Sequence, residues 1–234
     1  PHYENVPFEI PTSWEWVRLG DLYMHNTGKA LNAKDKDGEY RNYITTSNLY
    51  WNRFELQEVR QMLFTQNELE RCLATKGDLL VCEGGDIGRA AIWNYDYDIC
   101  IQNHIHRLRS ILPLNTQFYY YIFLFYKLTN RIGGKGTAIQ GLSSDAIDKL
   151  VIPLPPIDEQ ERIIKEVERW FALIDELEHN KTDLQNAIKQ AKSKILDLAI
   201  HGKLVPQDPC EESAYELLKR IDPAFKPCDT SHYE

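Results

Sequence analysis

Residues 158–201 carry the most restrictive pattern in this sequence, because apolar side chains recur there at alternating steps of three and four for more than four heptads. The pattern is interrupted once, by Lys181. Prolines between positions 153 and 156 disfavour helix upstream, Asp158 is a candidate N-cap, and Gly202 ends the pattern. We therefore predict one helix that is roughly 65 Å long at ~1.5 Å per residue. Such a helix needs a second helix to cover its apolar stripe.

The charges along this helix indicate how two helices would pair. Residues 158–178 hold eight acidic and three basic side chains, whereas 179–201 hold four basic and two acidic ones. Antiparallel copies place each acidic half beside a basic half, so the antiparallel arrangement is favoured. Lys181 either sets the register or extends its ammonium to the edge of the contact. The residues predicted to form the helix pair are Trp170, Ile174, Leu177, Leu184, Ile188 and Ile195.

The residues before this helix mix helical and strand patterns. "RNYITTSNLYW" and "GDLLVCE" have the alternation typical of strands, and the second turns through Gly84 and Gly85 into "IGRAAIW". "NTQFYYYIFLFYKLTNRI" predicts a buried helix, "LSSDAIDKLVIPLP" a short helix and then a strand, and "IPTSWEWVRLGDL" a helical turn capped by Thr12 or Ser13. The predicted fold class is α+β: a compact mixed domain over 1–156, a long helix over 157–201, and a tail with one short helix over 202–234.

Composition narrows the class of function. The net charge of −8 argues against a protein that coats nucleic acid through bulk charge. However, residues 99–144 contain no acidic side chain and five basic ones, which indicates either a face that meets an anion or a buried segment. Five cysteines without a CxxC pair are typical of free thiols in a reducing cytosol. The longest apolar run, residues 118–126, is too short to span a bilayer.

Catalytic motifs are weak. His104 and His106 are the only close histidine pair, and no third ligand is spaced to join them, so we predict no metal site. "GGKGT" lacks the GK[ST] order of a phosphate loop and follows a predicted helix rather than a strand. No methyltransferase motif and no nuclease carboxylate cluster is evident. We therefore expect a chain without its own catalytic residues.

Two stretches have the composition of a binding surface. "TGKALNAKDKDGEYRNYITTSNLYWNRFEL" mixes lysine and arginine with asparagine, and "NRIGGKGTAIQGLS" carries basic and amide side chains on a Gly-rich loop. Lysine and arginine suit phosphates, whereas Asn, Gln and Arg suit base edges in the major groove. "GGDIGR" adds Arg89, although a tight hairpin also explains its glycines. Solvated polar loops remain the alternative for each stretch.

Taken together, these segments resemble the specificity subunit of type I restriction–modification systems. "FEIPTSWEWVRLGDL" is similar to the opening of its target-recognition domain, and "GDLLVCEGGDIGRAAI" and "IQNHIHRL" to the domain's central hairpin and following strand. "LSSDAIDKLVIPLPPIDEQERII" resembles the exit into the family's long helix, and "AIHGKLVPQDP" the link beyond it. The resemblance covers nearly the whole chain, and the "PLPPIDEQ" junction is its most specific part.

The resemblance implies a sequence-specific, non-catalytic DNA-recognition module in the cytoplasm. It implies no cofactor on this chain. The partners that it implies are methyltransferase subunits, which bind S-adenosylmethionine and modify adenine, and a restriction/translocase subunit, which cuts double-stranded DNA. The residues that we predict to face DNA are Lys29, Lys34, Lys36, Arg41, Asn52, Arg53, Arg89, Lys135, Thr137 and Gln140. The alternative is a scaffold protein whose long helix dimerises it without reading DNA.

The chain departs from the family pattern by holding one recognition domain and one long helix. Specificity subunits of this family usually carry two of each. His2-Tyr3-Glu4 and His232-Tyr233-Glu234 are identical, as expected if the chain were one period of a tandem repeat. The chain is then predicted to be either half of a two-domain subunit or a half-subunit that pairs with a second copy.

Overall fold

The computed structural model of the chain describes residues 7–32, 36–132, 142–201, 203, 204, 213–224 and 226. Its helices are α1 (Leu19–Leu22), α2 (Gln66–Cys72), α3 (Thr116–Leu128), α4 (Ser144–Asp148), α5 (Ile157–Ile200) and α6 (Ala214–Ile221). Its strands are β1 (Glu15–Arg18), β2 (Tyr23–Thr27), β3 (Glu39–Ile44), β4 (Leu49–Tyr50), β5 (Arg53–Phe54), β6 (Arg60–Phe64), β7 (Leu73–Ala74), β8 (Leu79–Cys82), β9 (Ala90–Ile92), β10 (Ile99–Ile101), β11 (Ile105–Ser110) and β12 (Val151–Leu154). The α+β prediction with one long helix is confirmed.

Two four-stranded sheets form the body of the domain. One is antiparallel throughout, in the order β2-β11-β8-β9, and the other has the order β6-β3-β10-β7 with β3 and β10 parallel. The predicted strand "GDLLVCE" is β8, which turns back into β9 as expected. The β4–β5 hairpin leaves the end of β3 and contacts β9. This hairpin and the β8–β9 turn are therefore neighbours on the domain surface.

The first turn of the chain differs from the prediction. Residues Glu15–Arg18 form a strand, β1, that pairs antiparallel with β12, and only Leu19–Leu22 are helical. Thr12 and Ser13 cap no helix; the backbone N–H of Arg18 instead donates to the Asp21 carboxylate. The strand was missed because its partner lies more than 130 positions away in the sequence, and no local pattern reports that pairing.

Helix α3 supplies the largest apolar contribution to the core. Asn115 caps it by accepting from the backbone N–H of Gln117, as the predicted N-terminus requires. Aromatic side chains on the helix are buried against β8, β9 and β11, including Tyr119 and Phe123. The Tyr126 hydroxyl donates to the Val151 carbonyl at 2.7 Å and ties the helix to β12. Aromatic burial of this kind explains why the segment is acid-free.

The long helix α5 runs over Ile157–Ile200, so Asp158, the predicted N-cap, lies in its first turn instead. Gln160 is fully buried, accepts from the Asn115 backbone N–H at 3.1 Å and donates to the Pro155 carbonyl at 3.0 Å. Ile164 is buried in the same core as α3. The chain forms two compact units, the first ending at Trp170 and the second beginning at Phe171, so the first part of α5 belongs to the same unit as the two sheets.

In the second unit, α6 is a short helix with a capping box. The Ser213 hydroxyl accepts from the Glu216 backbone N–H, and the Glu216 carboxylate accepts from the Ser213 backbone N–H. The predicted short helix in the tail is confirmed. The repeated His-Tyr-Glu termini lie outside the described residues.

Candidate nucleic-acid interface

The β4–β5 hairpin presents a polar tip between Tyr50 and Arg53. Asn52 takes a left-handed backbone conformation (φ 56°), which asparagine tolerates better than most residues. Its backbone N–H donates to the Ala90 carbonyl of β9 at 3.2 Å, so the tip is held against the β8–β9 turn. The Asn52 and Arg53 side chains are exposed. The hairpin therefore offers an amide and a guanidinium on a fixed backbone.

The Tyr50 ring brings two guanidinium groups together. The Arg53 guanidinium carbon lies 4.5 Å from the ring centroid and that of Arg89 lies 5.0 Å from it. Both distances are within the range of cation–π contact. Arg53 also pairs with Glu55, and Arg89 donates to the Thr46 carbonyl at 2.6 Å. Two like charges from distant parts of the sequence are thus held around one aromatic ring.

Arg89 is positioned by a turn with strict backbone requirements. Gly85 and Gly88 have φ values of 72° and 84°, and a Cβ at Gly88 would lie 2.4 Å from the Ile132 Cδ1 atom. Lys127 crosses to this turn, where its ammonium pairs with Asp86 at 2.7 Å and donates to the Ile87 carbonyl at 3.0 Å. Lys127 of α3 thus holds the turn from one side, and Gly88 leaves room for Ile132, whereas Gly85 is required by its positive φ alone.

Lys29, which we predicted to face DNA, lies inside the domain. Only 6% of its surface is exposed, and its ammonium donates to the Leu63 carbonyl and to the Glu68 carboxylate, both at 2.8 Å. The ammonium is also 5.5 Å from the Phe64 ring centroid. The hydrogen bond from Lys29 lowers the pKa of Glu68. The structure thus gives Lys29 an internal role in joining β6 to α2, which corrects the prediction.

Arg41 and Lys36 are exposed, but both lie outside the β4–β5 hairpin and the β8–β9 turn. Arg41 lies on β3 and pairs with Glu39 at 2.6 Å. It borders a groove of about 400 Å³ that Asn42 and Gln61 also line, and the Gln61 amide donates to the Asn42 amide oxygen at 2.9 Å. Gln61 was not predicted; its only sequence signal is a polar residue on a strand. Lys34, Lys135, Thr137 and Gln140 lie outside the described residues.

The acid-free stretch is largely interior where it is described. Arg107 is 1% exposed and donates to the carbonyls of Glu70 and Leu73, which lie at the end of α2. Arg109 forms a two-pronged contact with Asp78, at 2.8 and 2.7 Å, and Asp78 is itself buried. Both guanidiniums are therefore taken up by internal contacts, and these two arginines do not form an anion-binding face.

Tyr50 is the residue of this surface that our site prediction left out. The neighbouring Trp51 lies in a polar stretch of the sequence that suggests exposure. It instead packs against the core, with its ring 6.2 Å from that of Tyr120. In the sequence, Tyr50 has Arg53 nearby, and Arg89 is far away. Only the fold shows that one of these arginines comes from the β8–β9 turn.

The six residues predicted to pair the helix are all on the surface of α5. Their exposed fractions run from 48% at Ile174 and Ile188 to 69% at Leu177. The Arg169 guanidinium carbon is 4.7 Å from the Trp170 ring. A row of large apolar side chains at this exposure is unusual for a helix facing water. The prediction that these residues contact another helix stays a prediction.

Across the described part of the chain, no three His, Cys, Asp or Glu side chains are grouped as a metal site requires. Within that same part, no helix has the length and apolar character needed to cross a membrane. His104 lies before β11 with its ring 3.5 Å from Glu83, whereas His106 is buried within β11. The two histidines therefore occupy different environments rather than one shared face.

Comparison with known proteins places the domain in a family. The profile of the type I restriction modification DNA specificity domain matches residues 11–189. The chain belongs to this family. It is 35% identical over 274 residues to the type I restriction enzyme EcoAI specificity subunit of Escherichia coli, covering 93% of this chain and 45% of that one. With the EcoEI specificity subunit of the same organism the identity is 24%, over 94% and 45% of the two chains.

Solved structures agree on the fold. The HsdS subunit of Thermoanaerobacter tengcongensis has a TM-score of 0.62 at 20% identity, covering 86% of this chain and 48% of that one. A chain from a structure of type I restriction–modification complex assembly has a TM-score of 0.64 at 19% identity, covering 85% and 48%. The chain thus spans less than half the length of the relatives that it matches.

Proposed function

We propose that this chain is a DNA-recognition module of a type I restriction–modification complex, which directs adenine methylation and cleavage by partner subunits. The observation that carries the proposal is the pair of guanidiniums held around Tyr50, in a domain of the specificity family. A guanidinium carries five N–H donors, and the contacts with Glu55 and with the Thr46 carbonyl leave some of them for a further acceptor. A DNA phosphate is the acceptor that the family implies.

The hairpin also supplies groups that distinguish bases. Arginine contacts guanine through two hydrogen bonds, and asparagine does the same with adenine. Asn52 and Arg53 are exposed at a tip whose backbone is anchored to β9, so their side chains start from a defined position. Anchoring reduces the ordering cost of binding. We assign the first contacts with base edges to this tip, and phosphate contacts to Arg89.

The proposed partners are those that the family implies. We propose that a second recognition domain, from another copy or from the other half of a longer subunit, is joined to this one through α5. Methyltransferase subunits would bring S-adenosylmethionine and the chemistry, and a restriction/translocase subunit the cleavage. We expect this chain to hold no cofactor and to act in the cytoplasm, where bacterial and archaeal DNA lies.

The experiment is selection of bound duplexes from a random double-stranded library by the full chain, followed by titration of the enriched duplex at several salt concentrations. We expect enrichment of a few defined base pairs and an affinity that falls with salt. Arg53→Ala is expected to weaken binding by on the order of tenfold and to relax one base position. Arg89→Ala is expected to weaken binding to all sequences alike.

The matched control is Lys76→Ala, which removes another exposed cation that pairs with Asp96. It is expected to leave affinity and sequence preference unchanged, and circular dichroism verifies that each variant is folded. Absence of any enriched sequence, together with equal binding by all variants, would favour the scaffold alternative.

A further inference from the structure

Two buried histidines join β2 and β11 to the segment around α4. His25 Nε2 lies 2.8 Å from His106 Nδ1, His25 Nδ1 lies 2.9 Å from an Asp148 carboxylate oxygen, and His106 Nε2 lies 2.6 Å from the Leu142 carbonyl oxygen. His106 pairs in register with Thr27, two residues from His25, so the two rings are diagonal neighbours on one face of the sheet. These three contacts form one continuous network from Asp148 to the Leu142 carbonyl.

The number of protons on the two imidazoles decides whether all three contacts can be hydrogen bonds. A carbonyl oxygen only accepts, so His106 must carry its proton on Nε2, which leaves Nδ1 as an acceptor. His25 must then donate from Nε2 to His106. Two neutral imidazoles supply no further proton, and His25 Nδ1 would turn its lone pair toward the Asp148 carboxylate. The third contact therefore closes only when the cluster binds one more proton.

Among the described residues, two carboxylates act on the histidine pair. Asp148 approaches from α4 and Glu83 from the end of β8, and Glu83 in turn lies 3.5 Å from His104. On α4 itself, Asp145 and Lys149 pair with each other at 2.7 Å. Burial lowers the pKa of both His25 and His106, while the Asp148 carboxylate acts in the opposite direction on His25.

Exposure identifies the contact that opens. The His25 side chain is 6% exposed and His106 is fully buried, whereas 48% of the Asp148 side chain is exposed. When the third proton leaves, Asp148 can turn its carboxylate into water at little cost. The two inner hydrogen bonds need no extra proton, so Leu142 stays bound in both states.

We propose that His25, His106 and Asp148 form a proton-dependent latch, in which uptake of one proton by His25 closes the hydrogen bond to Asp148 and holds α4 against β2. The latch is open at neutral pH and closes as the pH falls below the ordinary histidine value of 6.5. It needs no DNA and no partner. This property is independent of the proposed recognition function.

Two substitutions of Asp148 test whether closing of the contact with His25 depends on a proton. Asp148→Asn offers an amide N–H to the neutral His25 Nδ1 atom and an amide oxygen to the protonated one, so the contact closes at both pH values. Asp148→Ala removes the contact at both. Because the protonated His25 then lacks an acceptor, the Ala variant is expected to lose more thermal stability in acid than the wild-type chain does.

The measurement is backbone amide hydrogen exchange of Ile147 and Lys149 in the full chain. The N–H groups of these two residues donate to the carbonyls of Ser143 and Asp145, at the start of α4. Protection, corrected for intrinsic exchange, is compared at about pH 7.5 and about pH 5.5. We expect it to rise about tenfold in acid for wild type, since a hydrogen bond to a charged group forms. The Ile147 and Lys149 amides of Asp148→Asn should be protected equally at both pH values. Those of Asp148→Ala should show, at both, only the lower protection of the open latch, because Ile147 stays buried in the core.

Ring ¹⁵N shifts give the second readout. His25 Nδ1 should gain its proton only below pH 6.5. Protection that does not change with pH in the wild-type chain would overturn the proposal, as would a His25 ring that already carries both protons at about pH 7.5. The same pH dependence in Asp148→Asn would also overturn it.

Discussion

At the scale of single residues, positive side chains from the same sequence stretch have opposite roles. Lys29 and Arg53 lie in one polar segment, yet Lys29 is buried in an ion pair with Glu68 and Arg53 is exposed beside Tyr50. Composition does not separate the two cases. What separates them is whether the fold places a carboxylate and two strands around the charge, and that depends on residues far away in the sequence.

Replacing Lys29 with Met tests this distinction. The substitution leaves Glu68 facing a largely buried site, and we expect a loss of about 2 kcal/mol in the free energy of unfolding, below the ~3–5 kcal/mol of a fully buried pair because Glu68 is partly exposed. Because Lys29 lowers the pKa of Glu68, this stabilisation is present above the ordinary value of 4.5 and is lost as the pH falls below it. Chemical denaturation at several pH values measures both effects.

The folded Lys29→Met protein is expected to bind DNA as the wild-type chain does. Lys76→Met is the control, because Lys76 is 62% exposed and its pair with Asp96 lies in water, so stability should not change measurably. An affinity loss in Lys29→Met as large as that in Arg53→Ala would show that Lys29 does reach DNA.

At the scale of elements, the apolar row on α5 has a direct test. Leu177→Asp together with Leu184→Asp places two carboxylates in the predicted helix contact, where burial of an unpaired charge is costly. We expect sedimentation velocity to show a smaller assembly than the wild-type chain forms, with the first unit still folded. The matched control is Asn186→Asp with Gln190→Asp, which adds the same charge on the opposite side of the helix. Equal assembly by both double variants would contradict the pairing role.

The elements that could be predicted from sequence are those with local signals. α5 has its heptads, α3 its Asn115 cap and aromatic run, α6 its capping box, and the β8–β9 turn its glycines. Strand β1 could not be predicted, because only its pairing with β12 makes it a strand. The division of α5 after Trp170 was missed for a similar reason. Gln160 has no local signal that separates it from a surface residue until Asn115 is brought to it, and Ile164 lies beside the predicted heptad row rather than in it, yet is buried in the core.

The candidate site was predicted in part. Asn52 and Arg53 follow from the composition of one loop, but their meeting with Arg89 at Tyr50 depends on the order of β8 and β9 beside the hairpin. Arg107 and Arg109 gave the same sequence signal and proved internal. A charge pattern reports how many cations a segment carries. Which of them meet water depends on tertiary structure.

At the scale of the whole molecule, the net charge of −8 and a DNA-binding role are compatible. A reader of a few base pairs needs local positive groups, and partner methyltransferases can neutralise most of the phosphates in an assembled complex. We expect the acidic side chains on the remaining surface, including the acid-rich half of α5, to reduce binding to unrelated DNA. A local group of positive side chains on an acidic chain is therefore consistent with the proposed function.

The most direct measurement is a map of methylated adenines in cells that co-express this chain with a matching methyltransferase subunit. We predict methylation at one defined motif, which is symmetric and interrupted if two copies of the chain pair through α5. Arg53→Ala should lower or relax that methylation, whereas Lys76→Ala should leave it unchanged. Should no motif be methylated, either by this chain or when it is joined to a second recognition domain, the central claim that it directs adenine methylation would be contradicted.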